Sequence, residues 1–329
     1  MNRGLFRWVG AALLVAVSGG AWLYYGYTPG PTRMGATDFL PPPKGYSVRP
    51  TRFLVQRGEY LATGLLGCVG CHSPRDWTRF AGPLAPEGYF TGGVGWGPRP
   101  HVATPRATPA VRPVTVSPQD FIWRFTRGVR LTAEGGTAVA ADCPWPAYQH
   151  LDPLDAQAVY AYVASVEVSP SSAVGKPPRP WHSRHHRRDL PPQNKPPLAD
   201  TLAYGRYLVT VAACGACHAN PDAADPYQPT DLRGGRRFEL PTGAVVFATN
   251  LTPDPETGLG RWAEARFVQR FRHLAPPFAF GPVGTSGFSS PMYWEGYARL
   301  TPYDLQAIYH YLRAQPPVRN PTPAWQAAP

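Results

Sequence analysis

Residues 143–163 (CPWPAYQHLDPLDAQAVYAYV) and 292–312 (MYWEGYARLTPYDLQAIYHYL) align without a gap. Trp145 meets Trp294, Tyr148 meets Tyr297, Leu151 meets Leu300, and Tyr160 and Tyr162 meet Tyr309 and Tyr311. Self-similarity of this kind means that one folding unit is used twice, so the fold must be built from two like halves. Each copy ends in a predicted helix with a clear start. Asp152 and Thr301 are N-cap residues, Pro153 and Pro302 take the first helical position, and Asp155 and Asp304 complete a capping-box-like signal. Val159, Tyr160 and Val163 then share one face, as do Ile308, Tyr309 and Leu312. Upstream, 58–61 (GEYL) pairs with 205–208 (GRYL), each on a short helix that leads into cysteines.

Those cysteines carry the chemistry. Residues 68–72 (CVGCH) and 214–218 (CGACH) are both C-x-x-C-H, the signature of covalent haem attachment. Two thiols three positions apart at the end of a helix reach both vinyl groups of one haem, and the adjacent histidine ligates its iron. Small residues between the cysteines let the backbone lie against the porphyrin edge. A redox CxxC needs no histidine, and a thioredoxin-like βαβ pattern is absent. A zinc site would want the pairs closer in sequence and would leave both histidines unexplained. The expectation is two covalently bound haem c groups, attached through Cys68 and Cys71 and through Cys214 and Cys217, with His72 and His218 as metal ligands.

The 329 residues suffice for two domains. The 42 prolines cluster at 41–50, 98–118 and 170–197, which reads as linker and loop. The chain divides accordingly into an anchor (1–30), a Pro-rich linker (31–51), a first domain (52–167), a Pro/Arg/His-rich linker (168–199), a second domain (200–318) and a tail (319–329). In the anchor, Arg3 and Arg7 precede an apolar run, 9–27, which as a helix spans about 28 Å, close to the hydrocarbon thickness of a bilayer. Trp22, Tyr24, Tyr25 and Tyr27 suit the outer boundary. The run continues past the small residues Ser18 and Gly20, which favours a retained transmembrane helix over a cleaved signal peptide. Either way the chain is exported, so the expected place is the inner membrane with the soluble part facing the periplasm. Export argues against nucleic acid as a partner despite the net charge of +11. That charge, almost wholly arginine, reads either as attraction to anionic lipid or an acidic redox partner, or as the habit of a GC-rich genome. Its densest patch, 182–188 (HSRHHRR), falls in the linker and reads as a solvated tether.

Further motifs in the second half are 234–236 (GGR), 248–254 (ATNLTPD) and 256–262 (ETGLGRW). With the haem signatures they resemble the cytochrome c family, specifically the tandem domains of cytochrome subunits of periplasmic quinoprotein alcohol and sugar-acid dehydrogenases. The likeness covers most of 200–315 and about half of 52–167, where the Pro/Arg-rich stretch 92–118 replaces the ATNLTPD-like segment. The family normally has three haem domains and this chain has two. The resemblance implies an all-α fold of two tandem cytochrome c domains after the N-terminal transmembrane helix. It also implies that the methionine of an M-P-W-type turn is the sixth iron ligand. Met292 holds that position, followed by Tyr293 in place of proline; His273 is the alternative nearby.

In the first domain the same position is Cys143. No methionine lies between Met34 and Met292, and no lysine between Lys44 and Lys176. The candidates are Cys143 as a thiolate ligand, His101, His150 or an open site, with a buried inert thiol as the bland reading of Cys143. Four of the 5 cysteines go to haem, which leaves Cys143 unpaired in an oxidising compartment. Thiolate ligation would make the first haem the low-potential centre, because thiolate favours ferric iron and Met/His ligation raises the potential.

The function read from these residues is electron relay in a periplasmic respiratory chain. The donor would be a dehydrogenase or quinol-oxidising complex, and the acceptor a soluble carrier or oxidase. The alternative is a dihaem enzyme of thiosulfate-dehydrogenase type with a Cys-ligated catalytic haem, where Arg112, Arg124, Arg127 and Arg130 could attract an anionic substrate. A dihaem peroxidase would need an open distal site. No Ser/His/Asp arrangement, metal-hydrolase motif or nucleotide loop is present, so a carrier is preferred to an enzyme. Thiolate ligation predicts that Cys143→Met changes the low-spin ferric signal of the first haem; an unchanged signal would remove that assignment.

Overall fold

The structure, a computed structural model, describes residues 46–85, 88–96, 102–103, 105–108, 116–132, 135–138, 143–166, 193–223, 227, 231–275, 280–284, 287–323 and 325–327. The segment read above as a membrane helix lies outside the described residues, as do the basic run 182–188, His101 and Arg112. Among the described residues, no helix is long and apolar enough to cross a membrane.

Both repeats contribute the same helices in the same order. The first supplies α1 (Arg52–Tyr60), which runs into a π-helical turn (Leu61–Leu65), then α2 (Cys68–His72), α3 (Pro118–Arg127), α4 (Trp145–Tyr148) and α5 (Pro153–Ser165). The second supplies α6 (Thr201–Val211), α7 (Cys214–His218), α8 (Glu264–Arg272), α9 (Trp294–Tyr297) and α10 (Pro302–Arg313). The predicted helix starts are correct. Asp152 accepts from the Leu154 amide at 2.8 Å and Thr301 from the Asp304 amide at 3.1 Å, each satisfying an amide that the helix itself leaves open.

In each repeat the first and last helices cross at a glycine. A β-carbon on Gly58 would lie 1.9 Å from the Ala158 carbonyl oxygen, and one on Gly205 would lie 2.0 Å from that of Ala307. Only a bare α-carbon allows this approach. A pair of phenylalanines one helical turn apart then closes the side of each repeat. Phe121 meets Phe125 and Tyr160 at 5.4 and 5.6 Å between ring centres, and Phe125 meets Tyr148 at 6.0 Å. Phe267 meets Phe271 and Tyr309 at 5.1 and 5.5 Å, and Phe271 meets Tyr297 at 6.4 Å. The two aromatic clusters are the same cluster, built twice.

Short strands add to the helical architecture. β1 (Gly93–Trp96) pairs with β3 (Pro105–Thr108), and β4 (Val129–Thr132) with β5 (Gly135–Ala138), both antiparallel. β2 (Val102–Ala103), β6 (Arg237–Glu239), β7 (Val245–Phe247) and β8 (Trp325–Gln326) form one sheet in the order β2-β6-β7-β8. The all-α expectation missed them because runs of two to four residues are too short to show a period of two.

The two repeats share one apolar core. Leu61, Leu65, Val69, Val159 and Val163 of the first belong to the same buried cluster as Leu208, Val209, Leu300 and Leu305 of the second. Their polar contacts are reciprocal. The Tyr60 hydroxyl donates to Asp304 of the other repeat and accepts from the Thr301 amide at 3.2 Å. Its counterpart Tyr207 donates to Asp155 at 3.2 Å and accepts from the Asp152 amide at 3.3 Å. Half of the expected capping box forms, since Asp152 and Thr301 accept from the Asp155 and Asp304 amides, but the reciprocal half does not. Asp155 and Asp304 do not reach back to their own N-caps, whose amides are instead satisfied by a tyrosine from the opposite repeat.

Asp155 is 2% exposed and takes a two-pronged bond from Arg57, 2.8 Å on each oxygen, with Lys195 at 3.4 Å. Burial pushes its carboxyl up, but the bonds and charge of Arg57, with help from Lys195, outweigh it and leave the group below its ordinary value. A depressed folded-state value means that the contribution is complete above the ordinary carboxylate range, about pH 4, and is lost as pH falls through the folded value. Asp155→Asn should therefore lower the thermal midpoint at pH 7 and flatten its decline on acidification relative to the parent. Gly58→Ala or Gly205→Ala should cost about 2 kcal/mol or more in chemical denaturation.

Candidate functional site

Each C-x-x-C-H motif forms one helical turn, entered through a left-handed residue. Gly67 precedes Cys68 with φ 62°, and Ala213 precedes Cys214 with φ 54°. The reversal turns the chain from the preceding helix so that the two cysteines and the histidine follow in a single tight turn. Alanine at that position is strained, since the left-handed region costs an L-residue about 1 kcal/mol. The histidine carbonyls are anchored alike: His72 accepts from the Gly92 amide and His218 from the Gly234 amide, both at 2.8 Å. A third matching bond ties in the closing turn. The Tyr148 hydroxyl donates to the Leu66 carbonyl at 3.1 Å, and that of Tyr297 to the Ala212 carbonyl at 3.3 Å.

The His218 ring has its Nδ1 2.8 Å from the Thr249 carbonyl oxygen. A carbonyl only accepts, so Nδ1 must carry the proton, and Nε2 is left with the lone pair that a metal requires. Burial holds the imidazole below its ordinary pKa, although the Thr249 bond partly opposes this. The ATNLTPD segment serves this contact. Asn250 donates to Thr257 at 2.9 Å and to the Val318 carbonyl at 2.7 Å, and accepts from the Thr252 amide at 2.9 Å and its hydroxyl at 2.8 Å. These bonds fix the loop that presents the Thr249 carbonyl.

Cys143 and Met292 occupy equivalent places. Each carbonyl accepts from the tryptophan amide two residues on, at 2.8 Å for Trp145 and 2.9 Å for Trp294, and both side chains pack, partly buried, against the shared core. Cys143 also lies within electrostatic reach of the first motif: burial pushes the Cys68 thiol up to about 12, with Cys143 and Cys71 contributing next. His273 caps the end of α8 and is exposed, and His150 lies partly buried just beyond α4. Arg124 is tied to Asp120 one turn earlier on its own helix. The donor set, an imidazole nitrogen beside a pair of thiols on one turn, with a sulfur side chain packed against the same core, fits haem c.

The two motifs also approach one another. The buried Tyr297 hydroxyl is held well above its ordinary range, first by burial and then by Cys214, Cys217 and, from the other repeat, Cys71. That meeting was not readable from the motifs alone. The phenylalanine pairs behind Tyr148 and Tyr297 also escaped sequence reading, although Phe121/Phe125 and Phe267/Phe271 share a spacing of four that a search for repeats in the loop-rich middles would have found.

No family model matches the chain. Among curated proteins, it is 30% identical over 295 residues to the cytochrome c subunit of a quinone alcohol dehydrogenase from Gluconacetobacter polyoxogenes, an alignment covering 80% of this chain and 56% of the relative. It is 32% identical over 241 residues to the gluconate 2-dehydrogenase cytochrome c subunit of Pantoea cypripedii, covering 67% and 51%. A dihaem c-type cytochrome of Cereibacter sphaeroides is 29% identical over 141 residues, covering 42% and 43%. The chain spans about half the length of the curated relatives it matches. Its homologues are thus cytochrome c subunits of dehydrogenases together with a dihaem cytochrome c, and they imply covalently bound haem c.

The strained entry residue gives a paired prediction. Ala213→Gly should raise the stability of the holoprotein by about 0.5–1 kcal/mol and Gly67→Ala should lower it by a similar amount. Thermal unfolding of the two variants measures both.

Proposed function

We propose that the chain is an electron-transfer cytochrome with two haem c groups, anchored in the inner membrane by its N-terminal segment and facing the periplasm. Electrons would enter from a dehydrogenase or quinol-oxidising complex and leave to a soluble carrier or oxidase. The observation that carries the reading is the twice-built C-x-x-C-H turn, with matching left-handed entry, histidine anchor and tyrosine tie. Relatives that serve as cytochrome subunits of alcohol and gluconate dehydrogenases support a dehydrogenase as donor.

Haem c, when bound, supplies a one-electron iron couple whose potential follows its axial ligands and burial. Cys68 and Cys71, and Cys214 and Cys217, would hold it covalently. His72 and His218 would ligate the iron, with His218 oriented by the Thr249 carbonyl. Met292 would supply a further iron ligand in the second repeat and Cys143 in the first. The shared apolar core packs the two repeats against one another, with Cys68 of one motif and Cys214 of the other in contact with the same cluster.

A second reading, a thiosulfate-oxidising dihaem enzyme, draws on one observation: Cys143 stands beside the first attachment motif. Pyridine haemochrome analysis of the purified protein should give two haems per chain, and replacing both cysteines of either motif by alanine should leave one. A single haem in the parent protein would refute the dihaem assignment. Thiosulfate added without a partner should leave the haems oxidised, whereas their prompt reduction would favour the enzyme.

A further inference from the structure

The segment that carries Met292 is built against the first repeat. After His72 the chain forms a loop, residues 75–84, that receives the stretch before and after Met292. The Phe80 amide donates to the Gly281 carbonyl at 2.8 Å, and the Val283 amide to the Thr78 carbonyl at 2.7 Å. Arg79 donates to the Phe280 carbonyl at 2.7 Å, the Ala81 amide to the Ser289 hydroxyl at 3.2 Å, and the Leu84 amide to Glu295 at 3.0 Å.

Between these anchors, Tyr293 is pressed into a slot of glycines. A β-carbon on Gly70, inside the first C-x-x-C-H motif, would lie 2.8 Å from Cγ of the Tyr293 ring; one on Gly67 would lie 3.4 Å away. A β-carbon on Gly296 would come within 2.1 Å of Cε1 of the same ring. Cγ is the root of the ring, so displacing it takes either rotation about the Cα–Cβ bond or a shift of the backbone beside Met292. The Tyr293 residue is 8% exposed and its hydroxyl has no hydrogen-bond partner among the described residues, so packing of the ring holds it. The repeat-equivalent residues are Pro144 for Tyr293 and Ala216 for Gly70. The reverse pairing therefore has neither the ring nor the bare α-carbon, and the link runs in one direction.

We propose that Tyr293 is a positioning residue, through which the first attachment helix holds the Met292 loop, so that ligation at the second haem depends on residue 70 of the first motif. The inference rests on Met292 as the sixth ligand. It means that the two centres are mechanically coupled, and that a change confined to the first haem's motif is read out at the second.

The test is the far-red methionine-to-iron band of the ferric, full-length holoprotein, with haem content checked for each variant. Met292→Leu should abolish the band. Gly70→Ala should weaken or shift it while both haems stay attached, since alanine already stands at the equivalent position of the second motif. Tyr293→Ala should do the same from the other side and serves alone should Gly70→Ala fail to mature. Tyr293→Phe, which keeps the ring, should leave the band as in the parent. A Met292-dependent band indifferent to both Gly70→Ala and Tyr293→Ala overturns the inference, and so does loss of the band in Tyr293→Phe. A band that survives Met292→Leu removes the ligand assignment, and the inference with it.

Discussion

Within each repeat the first and last helices pass so close to one another that no β-carbon fits between them. Gly58 rests on the backbone of α5 and Gly205 on that of α10, and these crossings set the frame of each repeat. Beyond them, the left-handed residues Gly67 and Ala213 turn the chain into its cysteines. The same crossings place the closing turns opposite, so that Tyr148 and Tyr297 reach back to the carbonyls just before each motif. The proposed haem sites, each with two thiols and an imidazole on one segment and a further ligand on another, would need both segments fixed together. Covalent attachment alone would hold only one of them.

The second constraint is reciprocal. Tyr60 and Tyr207 are equivalent residues, and each satisfies the N-cap amide and the first-turn aspartate of the opposite repeat. Burying a carboxylate such as Asp155 is unfavourable unless it is paired and hydrogen-bonded. Here Arg57, Lys195 and the tyrosine complete its shell. The interface is thus made from the ends of the very helices whose crossings define the repeats. The apolar core runs through it without a break.

Against this near-symmetry the differences stand out. Cys143 and Met292 share a backbone setting, a place against the core and a sulfur atom, but a thiol can ionise and a thioether cannot. Pro144 and Tyr293, the next residues, differ too, and only the tyrosine reaches across to the other repeat's attachment helix. Twofold repetition supplied two equivalent frames, and a few substitutions at the contact made them unequal.

The sequence by itself determined what depends on near neighbours along the chain. The spacing of cysteine, cysteine and histidine, the N-caps at Asp152 and Thr301, and the equivalence of Cys143 with Met292 are local patterns, and they needed no folding to be read. The reciprocal half of the capping box, from Asp155 and Asp304, failed because a carboxylate bonds the best donor within reach, and residues distant in sequence brought better ones. The tertiary structure alone decided the Tyr60 and Tyr207 exchange, the Thr249 carbonyl on His218, the approach of the two motifs around Tyr297 and the Tyr293 ring on Gly70. All of these join segments far apart in sequence, where no periodicity or spacing records the contact. The opening pair of repeats was legible at once; that they interlock was not, because an interface exists only when both of its sides have folded.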